Sequence, residues 1–142
     1  MQAVNSDETL DKILQRDPRY HRDAYLFVRE ALDQTHKQVG KGSKGAVRHV
    51  TGQELLGGIR ALALDQFGPM ALMVLHEWGV RAGEDFGEIV FNMVDAGLLG
   101  KTEKDSRDDF RGGYDFFDAF RKPFLPVLKE PTPEAKAKTS EV

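Results

Sequence analysis

The residues that spell out chemistry most directly are glycines, lysines and acids at two places in the chain. Gly40-Lys41-Gly42-Ser43-Lys44-Gly45-Ala46-Val47 reproduces G-x-G-x-x-G-x-V, the spacing with which a kinase loop covers nucleotide phosphates, and Asp85-Phe86-Gly87 spells the magnesium-binding DFG. Such a loop works only inside a β-hairpin, with a strand lysine, an HRD-type catalytic loop and an APE segment downstream. No such segment lies downstream of these glycines, and 142 residues are too few for a two-lobed kinase. The glycines fail equally as a dinucleotide fingerprint, because no strand precedes them and no ribose-binding acid follows in a βαβ unit. Asp85 sits where an amphipathic helix should begin, and there a carboxylate complements the helix dipole.

Other reactive patterns stop short in the same way. His76-Glu77 opens HExxH, but Val80 occupies the position of the second zinc ligand. The chain has four histidines (21, 36, 49 and 76) and no cysteine, so a metal site would have to gather distant groups. Asp105, Asp108 and Asp109 are acidic enough for a divalent cation but lack the EF-hand spacing and its glycine, and they read as a solvated tip. Ser43, Ser106 and Ser140 lie in polar stretches without a G-x-S-x-G elbow. No catalytic, cofactor-binding or metal-binding residue is assigned, and the expectation is a protein without enzymatic activity.

Recognition is better represented. Lys37, Lys41, Lys44 and Arg48, with His36 and His49, make a basic stretch that either lies along a phosphate backbone or is a solvated linker. Residues 84 to 96 carry Glu84, Asp85, Glu88 and Asp95 and no Lys or Arg, so they would repel phosphates; Asn92 alone could read a base edge. An acidic helix of this kind suits a protein partner with a basic surface. Phe110, Tyr114, Phe116, Phe117, Phe120 and Phe124 crowd one short segment beside Arg111, Arg121 and Lys122. They either fill the core or supply the aromatic and arginine anchors of an interface. The partner-binding candidates are therefore Glu84, Asp85, Glu88, Asn92, Arg111, Tyr114, Phe117 and Arg121. The nucleic-acid alternative rests on Lys37, Lys41, Lys44 and Arg48.

The elements that must position these residues are mostly helices. Phe86, Ile89, Val90, Met93 and Val94 recur at i, i+3, i+4, i+7 and i+8, which predicts a helix over 84–96 with one continuous apolar face, stopped by Gly97. Upstream, Ser6 caps a short helix over 7–15, and Asp17-Pro18 opens another over 18–37. A Gly/Lys-rich loop over 39–50 follows. Thr51-x-x-Glu54 has capping-box spacing and starts a helix that Gly68-Pro69 ends. Residues 69–78 are apolar nearly all round, which predicts a fully enclosed helix. Leu98-Leu99 and the even spacing of Phe110, Tyr114 and Phe116 suggest two paired strands. The predicted fold is mainly α: a compact helical domain over 1–125, whose second half, 51–125, is winged-helix-like, with three helices plus a short β-hairpin. The first 38 residues form a helical pair, and 126–142 form a polar disordered tail.

Composition agrees with one ordinary globular domain: 40% hydrophobic, 30% charged, net charge -3 and pI near 5.8. The acidic balance argues against a surface that is basic throughout. Absence of cysteine suits a reducing compartment, and no leader of the secretory type opens the sequence. The apolar window Ala71 to Trp78 is too short to span a bilayer, so the setting expected is cytoplasmic, with no membrane partner.

HVTGQELLGGIR, QFGPMALMVLHEWG, EDFGEIVFNMVDAGLL and DFRGGYDFFDAFRKPFLP resemble an uncharacterised family of small proteins seen mainly in planctomycetes, verrucomicrobia and related bacteria. The resemblance runs from about Leu10 to Pro126. It implies a bacterial cytoplasmic setting and no activity, cofactor or site residue. The function expected is a non-catalytic protein-interaction module, an adaptor or regulatory subunit of a cytoplasmic assembly. The alternatives are a nucleic-acid-associated protein and, third, an enzyme.

Overall fold

A computed structural model describes residues 6–42, 50–99 and 107–126. Helix α1 is Ser6–Arg16, α2 is Arg22–Gly42, α3 is Gly52–Phe67, α4 is Ala71–Glu77 and α5 is Gly83–Asp95. A 3-10 turn, Gly68–Met70, joins α3 to α4. Beyond α5 the described residues form a 3-10 turn at Arg107–Phe110 and a continuous helical stretch over 116–124, π-type at Phe117–Arg121 and 3-10 at Lys122–Phe124.

Helix α5 is the centre, as its apolar period requires. Phe86, Ile89 and Met93 are completely buried on it. Helix α2 covers one side with Ala24, Tyr25, Phe27, Val28 and Ala31, and α3 adds Leu55, Leu56, Ile59, Leu62 and Ala63. Helices α2 and α3 run antiparallel, because Thr35 meets Gly58 at one end while Glu30 meets Gln66 and Phe27 meets Phe67 towards the other. Thr51 caps α3 as its spacing predicts: its Oγ1 accepts from the Glu54 N–H at 3.1 Å, and the Glu54 carboxylate accepts from the Thr51 N–H at 3.0 Å.

Several expectations need correcting. Helix α2 begins at Arg22 rather than at Pro18, and the cap is His21, whose Nδ1 accepts from the Asp23 N–H at 3.0 Å. Asp17 accepts from the Arg19 N–H at 3.2 Å and from its guanidinium, in the turn that precedes the helix. At its far end α2 runs on to Gly42, although a loop was expected from residue 39. Val39 packs against the core there and carries the helix past Gly40. Helix α4 is not enclosed: only Ala71 and Leu75 are buried, and Met70 and Met73 are 50% and 57% exposed.

The β-hairpin is absent among the described residues, and with it the support for a winged helix. Leu98-Leu99 is the tail of a helix stop, not a strand. Gly97 takes φ 83°, and the Leu98 N–H returns to the Met93 carbonyl at 2.9 Å. Phe110 closes a 3-10 turn and Phe116 leads into the π-type turn, so Phe116 and Phe120 share a helical face four residues apart. Residues 101–106 and the polar stretch from 127, including the acid Asp105, lie outside the described residues.

The continuous run Gly52–Glu77 is long and apolar enough, by length and composition, to cross a membrane. Leu55, Leu56, Ile59, Leu62, Ala63, Ala71 and Leu75 of this run are buried in the domain, whereas Met70 and Met73 are exposed, and the backbone takes φ 51° at Gly68.

Neighbouring glycines in α3 give opposite expectations. A Cβ at Gly57 meets nothing within 4 Å, whereas one at Gly58 falls 1.9 Å from Thr35 Oγ1, which is itself held on the Ala31 carbonyl at 2.7 Å. Gly57→Ala should stabilise by about 1 kcal/mol through helix propensity alone. Gly58→Ala should destabilise by about 1–3 kcal/mol through overpacking. Adding Thr35→Ala should return the Gly58→Ala effect to the stabilising sign, as read by urea unfolding of the four variants.

Candidate functional site

The polar face of α5 is built into the domain by the turn between α1 and α2. Arg19 donates from Nε and Nη2 to the two oxygens of Asp17 at 2.8 and 2.7 Å. Asn92, 7% exposed, donates from Nδ2 to Asp17 at 2.9 Å and to the Tyr25 hydroxyl at 3.0 Å. Arg19 lies 3.5 Å from Glu88, and Arg107 lies 3.4 Å from the same carboxylate, so Glu88 ties the start of α2 to the chain beyond α5. Arg107 also stacks over the Phe91 ring at 5.1 Å.

Asp85 is committed as well. Its carboxylate accepts from the backbone N–H of Arg81 and Ala82 at 2.9 and 3.2 Å and from the Tyr20 hydroxyl at 2.6 Å. Among the acidic-helix candidates, Asp85, Glu88 and Asn92 thus hold α5 in place, and Glu84 stands exposed. No sequence pattern announced Asp17 or Tyr25 as their partners, since these lie 75 and 67 residues from Asn92.

The C-terminal segment, residues 107–126, lies across α3, α4 and α5. Phe110, Phe116, Ala119 and Phe120 are buried. A seat of glycines receives them. An added Cβ at Gly87 would meet the Phe110 ring at 3.0 Å, one at Gly83 the Phe110 carbonyl at 3.2 Å, and one at Gly52 Asp109 at 2.8 Å. Phe116 and Phe120 pack edge to face at 5.1 Å, and Phe116 lies 5.7 Å from Phe86. Polar contacts tether the segment as well: Gln53 donates to the carbonyls of Asp109 and Arg111, the Tyr114 hydroxyl donates to the Leu56 carbonyl at 2.8 Å, and Arg107 pairs with Glu88.

The candidates in this segment therefore divide. Tyr114 is half-buried and inward, while Phe117 is 49% exposed and Arg111 and Arg121 face solvent. Phe124 is exposed beside them in sequence. The π-type turn carrying Phe117 packs against α4, which carries the exposed Met73 and follows the exposed Met70. The two methionines were missed because an apolar period reads as burial, and nothing in it says how many neighbours the helix will have. A cleft of about 410 Å³ opens between Arg81–Glu84 at the start of α5 and Gly112–Phe116.

The basic set is not brought together by the described residues. Lys37 is exposed on α2, the backbone of Lys41 continues that helix, and Lys44 and Arg48 lie outside the described residues. No cluster of three or more His, Asp or Glu with metal-ligand geometry occurs among the described residues.

Titration follows from burial and pairing. The Arg19 guanidinium holds Asp17 well below the usual carboxylate range. A carboxyl lowered in the folded state contributes its full stability above the unfolded value of about 4 and loses it as the pH falls below that. Asp17→Asn should therefore lower stability at neutral pH by about 1–3 kcal/mol and flatten the acid limb of stability between about pH 4 and pH 2. All three tyrosines, Tyr20, Tyr25 and Tyr114, are pushed upward, chiefly by burial. Their contribution is complete below the unfolded value of about 10 and is withdrawn above it. Phenolate absorbance should lag behind free tyrosine at pH 10 and should rise together with loss of helical circular dichroism.

No protein-family model matches the chain, and no curated protein and no solved structure matches it either.

Proposed function

We propose that the protein is a non-catalytic protein-interaction module, an adaptor or regulatory subunit of a bacterial cytoplasmic assembly. One observation carries the reading: large apolar side chains stay exposed on elements that pack together, Met73 on α4 with Met70 in the turn just before it, and Phe117 on the π-type turn against α4. Exposed apolar surface of this kind costs solubility unless a partner covers it. Methionine suits such a surface because its unbranched thioether adapts to different neighbours. Arg121, beside Phe117, supplies the charged rim that interfaces favour. The bacterial setting comes from the resemblance, and the cytoplasmic one from the absence of cysteine.

The test is capture from a bacterial cytoplasmic extract after nuclease treatment and a high-salt wash, comparing wild type with Met73→Glu/Phe117→Glu. A stoichiometric protein retained by wild type and reduced at least tenfold with the variant is the result expected. Equal capture by both, or recovery abolished by nuclease, would sink the reading, the second outcome in favour of nucleic acid. Both changed residues are about half exposed, so the variant should keep the wild-type melting temperature within about 2 °C.

A further inference from the structure

The helical run over 116–124 turns Phe116, Ala119 and Phe120 into the core. Phe117, Asp118, Arg121, Lys122 and Phe124 are all exposed, at the spacing of a single outward helical side. The charges on that side are sorted by sign. Asp118 stands near its start, where its N–H donates to the Asp115 carboxylate at 3.1 Å, and Arg121 and Lys122 stand near its end. Asp118 and Arg121 are three residues apart, a spacing at which helical residues can pair. Among the described residues, however, neither they nor Lys122 form an ion pair. Two large rings flank the charges, Phe117 at 49% and Phe124 at 37% exposure.

We infer that this face binds a second copy of the chain, as the interface of a symmetric homodimer. The pattern is complementary to itself in one orientation only. Turned over about a two-fold axis near residue 120, the second run lies antiparallel to the first. Asp118 of one copy then faces Arg121 and Lys122 of the other, Phe117 of one comes beside Phe124 of the other, and the symmetry makes each contact twice. A parallel pairing would set like charges against each other. Burial of the rings supplies the attraction, and the opposite charges fix the register. A contact confined to one short run is smaller than the roughly 800 Å² per partner of a standard interface, so the dimer should be weak and reversible. Phe117 is common to this face and to the surface with Met73, so the free protein keeps covered a ring that another protein can later take. The inference goes beyond the interaction-module reading and does not depend on it.

The test is sedimentation equilibrium of the purified full chain from roughly 10 µM to 1 mM, the range suited to a small interface. Wild type should pass from monomer to dimer across this range and go no further. Asp118→Arg makes the charges of the run all basic, and Arg121→Glu/Lys122→Glu makes them all acidic. Each variant alone should dimerise at least tenfold more weakly than wild type. An equimolar mixture of the two should associate at least as well as wild type, because opposite signs meet again, and added salt should weaken that association. Recovery on mixing is a result that damage to the fold does not produce. A wild type that stays monomeric throughout, or that grows into larger species, would overturn the inference. Variants that dimerise like wild type, or a mixture that stays monomeric, would overturn it equally. A monomeric wild type leaves the extract capture with Met73→Glu/Phe117→Glu standing, and a failed capture leaves the dimer standing.

Discussion

Asn92 sets the constraint from which much of this structure follows. It lies in the middle of a buried helix, and a primary amide there must find partners inside the protein or cost about 1–3 kcal/mol. Its amide nitrogen meets both Asp17 and the Tyr25 hydroxyl. Asp17 can afford burial only because Arg19 neutralises it in a two-pronged pairing. The turn between α1 and α2 is thereby fixed against α5, and α2 has to enter the core at Tyr25 and leave it near Val39. Arg22 draws α1 in as well, through Asp11 and Asp7.

The opposite side of α5 is governed by shape rather than by polarity. Gly83 and Gly87 sit one turn apart and remove side chains where Phe110 needs to lie. Glycine inside a helix sacrifices about 1 kcal/mol relative to alanine, and the close seating of an aromatic ring is what offsets it. The two faces of one helix thus use different devices. Hydrogen bonds specify where the N-terminal pair docks, and a steric notch specifies where the C-terminal segment docks.

Helix existence was legible because its signals are local. The period of Phe86, Ile89 and Met93, the Thr51–Glu54 capping box and the Gly68 and Gly97 stops all act within a few residues, and each appears where expected. The failures are tertiary. Asp17 before Pro18 reads as a helix cap, but α2 starts only at Arg22, and Asp17 instead takes the Arg19 N–H and guanidinium and the Asn92 amide. The even spacing of Phe110, Tyr114 and Phe116 looked like a strand, although Phe110 answers to the glycine notch and Phe116 to the turn that starts there. Of the site, the sequence left the aromatic segment open between core and interface, and the structure leaves Phe117, Arg111 and Arg121 exposed. Asp85, Glu88 and Asn92 could not be seen as structural, since their partners lie in elements distant along the chain.

The aromatic segment also explains why core and interface were hard to separate from sequence. In a turn four or five residues long, neighbours in sequence point to opposite sides, so Phe116 and Phe120 go inward while Phe117 goes outward. Composition cannot divide such a run, because both sides are phenylalanine. The division matters for function: inward rings hold the segment on the body, and the outward ring adds apolar surface next to the methionine-bearing helix.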